Sequence, residues 1–181
     1  VQGDTVKVFS DSARYRADTK ISHLYRNVVL VNGDQQLFTE QLRYDLGTKV
    51  ATYHTGGTLH NGNSQLFSQH GYYYVNEKVA HFKGDVLVTD PEFTMRTDTM
   101  VFLSGERLVQ FVAPTLISQT KGKVYTEGGF YDIEQKFAEF DKNPQYEREG
   151  ERGRAQKMRY NGITKEYVLE GDAIVEEPQK G

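Results

Sequence analysis

The chain is 181 residues long and carries 22 Lys and Arg against 25 Asp and Glu, a net charge of −3 with the two signs interspersed. That pattern argues against nucleic acid as a partner, because binding a phosphate backbone needs a clustered basic surface. Cysteine is absent, which removes disulfides, thiolate metal sites and thiol nucleophiles, and no apolar run approaches the ~20 residues of a membrane-spanning helix.

The opening Val1-Gln2-Gly3-Asp4-Thr5 has neither the basic nor the apolar region of a secretory signal, so any export signal is expected upstream or already removed. From there a 29-residue step organises the chain: Tyr15, Tyr44, Tyr73, Phe102, Tyr131 and Tyr160 fall in one column, Leu24, Tyr53, Phe82, Phe111, Phe140 and Leu169 in a second. A third column is basic, with Lys20, Lys49, Lys78, Arg107, Lys136 and Lys165. The six units run roughly 5–33, 34–62, 63–91, 92–120, 121–149 and 150–178. With no linker between them they read as one elongated domain.

Within a unit the apolar period is two, as in Phe38, Leu42, Tyr44 and Leu46 against Thr39, Gln41, Arg43 and Asp45, the mark of a strand with one dry face. Gly47-Thr48-Lys49, Asn76-Glu77-Lys78 and Gly105-Glu106-Arg107 supply turns, after which Ala51 and Tyr53, Ala80 and Phe82, or Val109 and Phe111 open a second strand. A further apolar stretch, Val28-Val29-Leu30, Val86-Leu87-Val88 or Thr115-Leu116-Ile117, follows the second strand, and Asn32-Gly33, Asn61-Gly62 and Asp90-Pro91 close units. No segment has a helical period. The fold class is therefore all-β, stacked antiparallel hairpins whose apolar columns line a continuous interior, since so small a unit cannot bury its own dry face.

Two places depart from the pattern. Arg96 and Arg154 stand in the column otherwise filled by Phe9, Phe38, Phe67 and Tyr125, and the fifth unit runs through the polar stretch 142–152. Because Pro144 cannot donate to a ladder, that stretch is expected to be an edge strand or a loop.

The segments Leu42-Arg43-Tyr44-Asp45, Lys78-Val79-Ala80-His81-Phe82-Lys83-Gly84-Asp85-Val86-Leu87-Val88 and Leu169-Glu170-Gly171-Asp172-Ala173-Ile174-Val175 resemble the OstA-like repeat over nearly the whole chain. This is the family of lipopolysaccharide-transport modules that includes LptA, LptC and the N-terminal domain of LptD. The resemblance implies a V-shaped β-jelly roll in the periplasm of a Gram-negative envelope that acts without catalysis or cofactor. It would carry the lipid A acyl chains of lipopolysaccharide in a dry groove towards the outer membrane, and pair end to end with itself or with related modules.

On the strand pattern, the groove lining is expected from Phe9, Tyr15, Phe38, Leu42, Tyr44, Tyr53, Phe67, Tyr73, Phe82, Met100, Phe102, Phe111, Tyr131, Phe140, Met158 and Tyr160. The basic column, Lys20, Lys49, Lys78, Arg107, Lys136 and Lys165, would meet headgroup phosphates or simply sit in solvent after each turn. A column of acids and amides, Asp11, Glu40, Gln69, Asp98, Glu127 and Gln156, has the side chains for a carboxylate pair or a calcium site. Its membership of the repeat argues for a structural role instead.

The histidines, His23, His54, His60, His70 and His81, do not converge as zinc ligands must, and no nucleophile elbow, Walker loop or dinucleotide fingerprint is present. Two rival readings remain: a scaffold with a filled core and no ligand, and a polysaccharide-active parallel β-helix.

Overall fold

The computed structural model describes residues 6–177. Val1–Thr5, and with it the reading of a missing signal, lies outside the described residues, as do the outermost positions of the first and last repeats. The chain divides into two compact units, Val1–Pro91 and Glu92–Gly181, so the division coincides with the end of the third repeat.

Among the described residues every regular element is a strand. The first unit holds β1 (Lys7–Phe9), β2 (Ser12–Arg16), β3 (Ile21–Asn32), β4 (Gln35–Asp45), β5 (Val50–Tyr53), β6 (Gly57–Asn61), β7 (Ser64–Ser68), β8 (His70–Tyr74) and β9 (Val79–Thr89). The second holds β10 (Thr94–Leu103), β11 (Leu108–Phe111), β12 (Thr115–Gln119), β13 (Gly122–Thr126), β14 (Gly128–Asp132) and β15 (Phe137–Lys142). It continues with β16 (Gln145–Arg148), β17 (Glu151–Arg154), β18 (Lys157–Asn161), β19 (Glu166–Glu170) and β20 (Ile174–Glu176).

Each repeat is a bent meander of four segments: strand, corner, strand, turn, strand, corner, strand. Two facing sheets result. In the first unit one sheet contains β1, the end of β3, the start of β4, β6, β7 and the end of β9. The other contains β2, the start of β3, the end of β4, β5, β8 and the start of β9. The second unit repeats the plan, with the start of β10, β12, β13, β16, β17 and β20 in one sheet. The end of β10, β11, β14, β15, β18 and β19 form its other sheet. Every one of these pairings is antiparallel, which sets aside the parallel β-helix.

Between the sheets of the first unit lies a core of Val28, Leu30, Leu42, Ala51 and Tyr53, with Val8, Leu24, Leu37, Tyr44 and Tyr73 packed against it. Apolar side chains from both sheets contribute, so burial of one shared dry layer is what holds them face to face.

Two features built into the repeat bend the chain at its corners. A hydroxyl column supplies the first: Ser10 Oγ, Ser68 Oγ and Thr126 Oγ1 each donate to the carbonyl two residues on, at 3.1, 2.9 and 2.6 Å, and Thr39 Oγ1 reaches Gly56 O at 2.7 Å. The second is a left-handed residue on the returning segment, Asn27, Gly56, Asp85, Asn143 or Asp172, with φ between 47° and 81°. Asn, Asp and Gly adopt that conformation most readily.

The corner also takes up an extra residue and thereby inverts the strand's alternation. In β4 Leu37 and Thr39 face inward before the corner, Leu42 and Tyr44 after it. Phe38, expected on the same face as Leu42, therefore points outward.

The polar stretch of the fifth repeat is neither edge nor loop. β16 pairs with β13 on one side and β17 on the other, and Pro144 is buried at the corner just ahead of it, a place where a missing N–H breaks no ladder bond.

Candidate functional site

The layer between the sheets brings together most of the expected lining. Leu42, Tyr53, Phe82, Met100, Phe102, Phe111, Phe140 and Met158 are buried. Tyr44, Tyr73, Tyr131 and Tyr160 are half-buried further from the corners. Tyr15 lies on the exposed end strand β2.

Phe9, Phe38 and Phe67 sit apart, 57%, 39% and 40% exposed. In register with Val29, Thr58 and Leu87 they form a cross-strand row on the outer face of their sheet. Arg96 and Arg154 hold the same repeat position and are likewise exposed, so this column faces water and tolerates charge. The inward neighbours are Val8, Leu37, Leu66, Met95 and Val124, a second apolar column that alternation alone could not separate from the Phe column.

At the corner side the interior is tightly filled. Tyr53 reaches from one sheet to the other and its hydroxyl meets Ser68 Oγ at 2.6 Å. Burial pushes the Tyr53 phenol pKa up. The ring lies against Gly57 and Gly71, where a Cβ atom would come within 2.7 and 2.2 Å of it. Glycine in these strands is thus the space that the tyrosine occupies.

At the opposite side, where the turns lie, side chains link the two sheets, among them the Lys165–Glu92 ion pair at 3.2 Å in the second unit. Asn32 Nδ2 donates to the Tyr73 hydroxyl at 3.4 Å in the first unit, and the Tyr167 hydroxyl donates to Gln119 Oε1 at 3.5 Å in the second. Both are long, weak bonds. Each unit is therefore closed by covalent corners along one side and by apolar contact with a few polar links along the other.

The basic column stands on that second side. Lys20, Lys49, Lys78, Arg107, Lys136 and Lys165 each close a turn with φ between 52° and 62°, and all six are exposed. The backbone explains part of the pattern: Lys20 O accepts Leu46 N at 2.9 Å, Lys49 O accepts Val75 N, Arg107 O accepts Ile133 N and Lys136 O accepts Gly162 N. The left-handed turn aims its carbonyl at the next repeat. Arg107 meets Glu134 at 3.4 Å and Lys165 meets Glu92 at 3.2 Å.

The acid and amide column proves to be corner chemistry. Asp11 accepts from Asn27 at 2.9 Å, Gln69 donates to Asp85, Glu127 accepts from Asn143 at 3.1 Å and Gln156 donates to Asp172 at 2.6 Å. In these four of the six repeats an acid meets an amide sixteen residues away, so no two carboxylates are opposed there; Glu40 and Asp98, with Gly56 and Pro114 at that spacing, lack such a partner. The Asn143 bond, with help from the Tyr125 hydroxyl, holds the Glu127 carboxyl below its ordinary pKa. This pairing gives Asp11, Gln69, Glu127 and Gln156 a structural role at the corner.

His54 and His70 approach at 3.2 Å between their Nδ1 atoms. Among the described residues no three His, Cys, Asp or Glu side chains gather as a metal site.

Two family models match, one described as OstA-like protein over residues 1–98, the other as LptA/(LptD N-terminal domain) LPS transport protein over residues 65–181. The chain belongs to the OstA-like family of lipopolysaccharide-transport proteins.

The fold agrees. The crystal structure of LptH, the LptA-homologous periplasmic component of the lipopolysaccharide transport device of Pseudomonas aeruginosa, is similar with a TM-score of 0.53 at 15% identity, covering 59% of this chain and 80% of that one. No curated protein matches the chain by sequence. As an OstA-like protein the chain has an all-β jelly-roll architecture and a part in lipopolysaccharide transport, and none of its described residues forms a helix that could cross a membrane.

Proposed function

We propose that the layer between the two sheets of each unit takes up the acyl chains of lipopolysaccharide, without catalysis, and that the protein works in the periplasm as part of an envelope-spanning relay. The observation that carries this reading is the asymmetry of closure. The side rich in backbone bends and corner hydrogen bonds acts as a hinge. The other side is held by apolar contact, and Asn32–Tyr73 is a link that an amphiphile could replace. An apolar chain entering there exchanges one dry contact for another, so the cost of parting the sheets is offset as they reclose on the ligand. The basic column follows the same side, where an anionic headgroup left outside would meet Lys20, Lys49 and Lys78 in the first unit or Arg107, Lys136 and Lys165 in the second.

A filled scaffold is the second reading, favoured by the packing around Tyr53 and by Met158, which is 0% exposed. Photo-crosslinking separates the two. With benzophenone placed singly at Tyr44, Tyr73, Phe82 or Phe102, lipopolysaccharide adducts are expected; at Arg43, Tyr72 or Phe38, on outer faces, they are not. Absence of adducts at every inward site in a folded protein would establish the scaffold.

A further inference from the structure

We infer that Tyr146, Tyr160 and Tyr167 form a stopper that closes the interior of the second unit at its last repeat and so fixes how far an acyl chain can lie along it. The inference rests on the lipid-carrying reading above. Its ground is a break in the repeat where the fifth and sixth repeats meet. Facing the aromatic column across each hairpin is a column of small residues: Tyr15 pairs with Ser22, Tyr44 with Ala51, Tyr73 with Ala80, Phe102 with Val109 and Tyr131 with Ala138. In the sixth repeat large meets large, because Tyr160 pairs with Tyr167.

The other sheet changes at the same level. The column Leu30, Leu59, Val88, Ile117 becomes Tyr146, and the column Val8, Leu37, Leu66, Met95, Val124 becomes Gly153. The exchange is compensated in space: a Cβ atom on Gly153 would sit 2.0 Å from the Tyr146 ring, so the glycine makes room for it.

The rings meet across the layer. Tyr146, from one sheet, stacks on Tyr167, from the other, with centroids 5.5 Å apart and planes 13° from parallel, and Tyr167 lies 4.6 Å from Tyr160. Their hydroxyls are engaged, Tyr146 with Glu151 and Tyr167 with Gln119, and burial helps push the phenol pKa of both Tyr146 and Tyr167 up to about 12. A ligand passing this rung must break an aromatic stack and two hydrogen bonds. At the other rungs the aromatic column faces a serine, alanine or valine across the hairpin, and no stack of three tyrosines has to be parted.

The test uses lipopolysaccharide as the probe and benzophenone at Leu169, inside the last repeat, against Phe111 in the same unit. In the parent, adducts are expected at Phe111, with at least a fivefold lower yield at Leu169. In the Y146L/Y167A variant, which restores the residue types of the other repeats, the Leu169 yield should rise to that of Phe111. The single variant Tyr167→Ala is the control should the double variant fail to fold; it should raise the Leu169 yield at least twofold. Equal yields at Leu169 and Phe111 in the parent would overturn the stopper and leave the lipid reading standing. No adduct at either position in parent and folded variants would overturn the lipid reading and the stopper with it.

Discussion

Tyr53 shows how one side chain is specified by the residues it leaves no room for. It is 4% exposed, bonded to Ser68, and covers two glycines from different strands. Replacing Gly71 with alanine would drive a Cβ atom into the ring, and the ring cannot swing away without giving up its hydroxyl bond. Overpacking of this kind costs about 1–3 kcal/mol, so Gly71→Ala is expected to lower the urea midpoint by a corresponding amount. In a Tyr53→Ala background the same change should cost nothing or gain slightly, because the cavity then accepts the methyl group. A double-mutant cycle measured by urea denaturation checks this; equal costs in both backgrounds would place the strain elsewhere.

At the scale of the element, the turn that closes each hairpin is fixed by backbone conformation first and charge second. A lysine at φ 52°, as at Lys136, is uncommon outside Gly, Asn and Asp. Lys136→Gly should therefore be neutral or stabilising by up to ~1 kcal/mol, whereas Lys136→Ile, branched at Cβ, should destabilise by roughly 1–2 kcal/mol. Thermal melts of the two variants read this directly, and the glycine variant then offers a folded protein in which the headgroup role of the cation is tested alone.

The same turns show what was legible beforehand. The 29-residue step, the turns and the column of acids and amides stand in the sequence because every repeat must solve the same local problem. The facing of Phe38 did not, since a corner inserts one residue and reverses the alternation between Thr39 and Leu42. Nor did the partners of the acid and amide column, which lie sixteen residues on and meet only once the corner folds. The strand at Tyr146 was hidden by Pro144 and its charged surroundings. The change from alanine to tyrosine at position 167 was open to the 29-residue step, but only for a column of small residues, which the aromatic columns overshadow.

At the scale of the whole molecule, the terminal strands carry the repeat's pairing rule beyond the described chain. Among the described residues β1 and β2 pair only with β3, β19 pairs only with β18, and β20 only with β17. A strand paired on one side can accept a further strand on the other. Continuing the 29-residue register head to tail between two copies sets Glu166 opposite Arg16, Tyr167 opposite Tyr15, Val168 opposite Arg14 and Leu169 opposite Ala13. In the other sheet it sets Ile174 opposite Phe9, Val175 opposite Val8 and Glu176 opposite Lys7. Apolar residues meet apolar ones on the inner face, and two acids meet two bases, the complementarity that cross-strand pairs favour. Because the chain has no cysteine of its own, the register is open to a clean test. Arg14→Cys and Val168→Cys, in separate copies mixed under mild oxidation, should give a heterodimer. Moving the second cysteine one residue to Leu169 turns it to the opposite face and should abolish the product. Equal crosslinking from positions 168 and 169 would mean collision without register, and no crosslinking from either at high concentration would mean that these edges do not join copies of this chain.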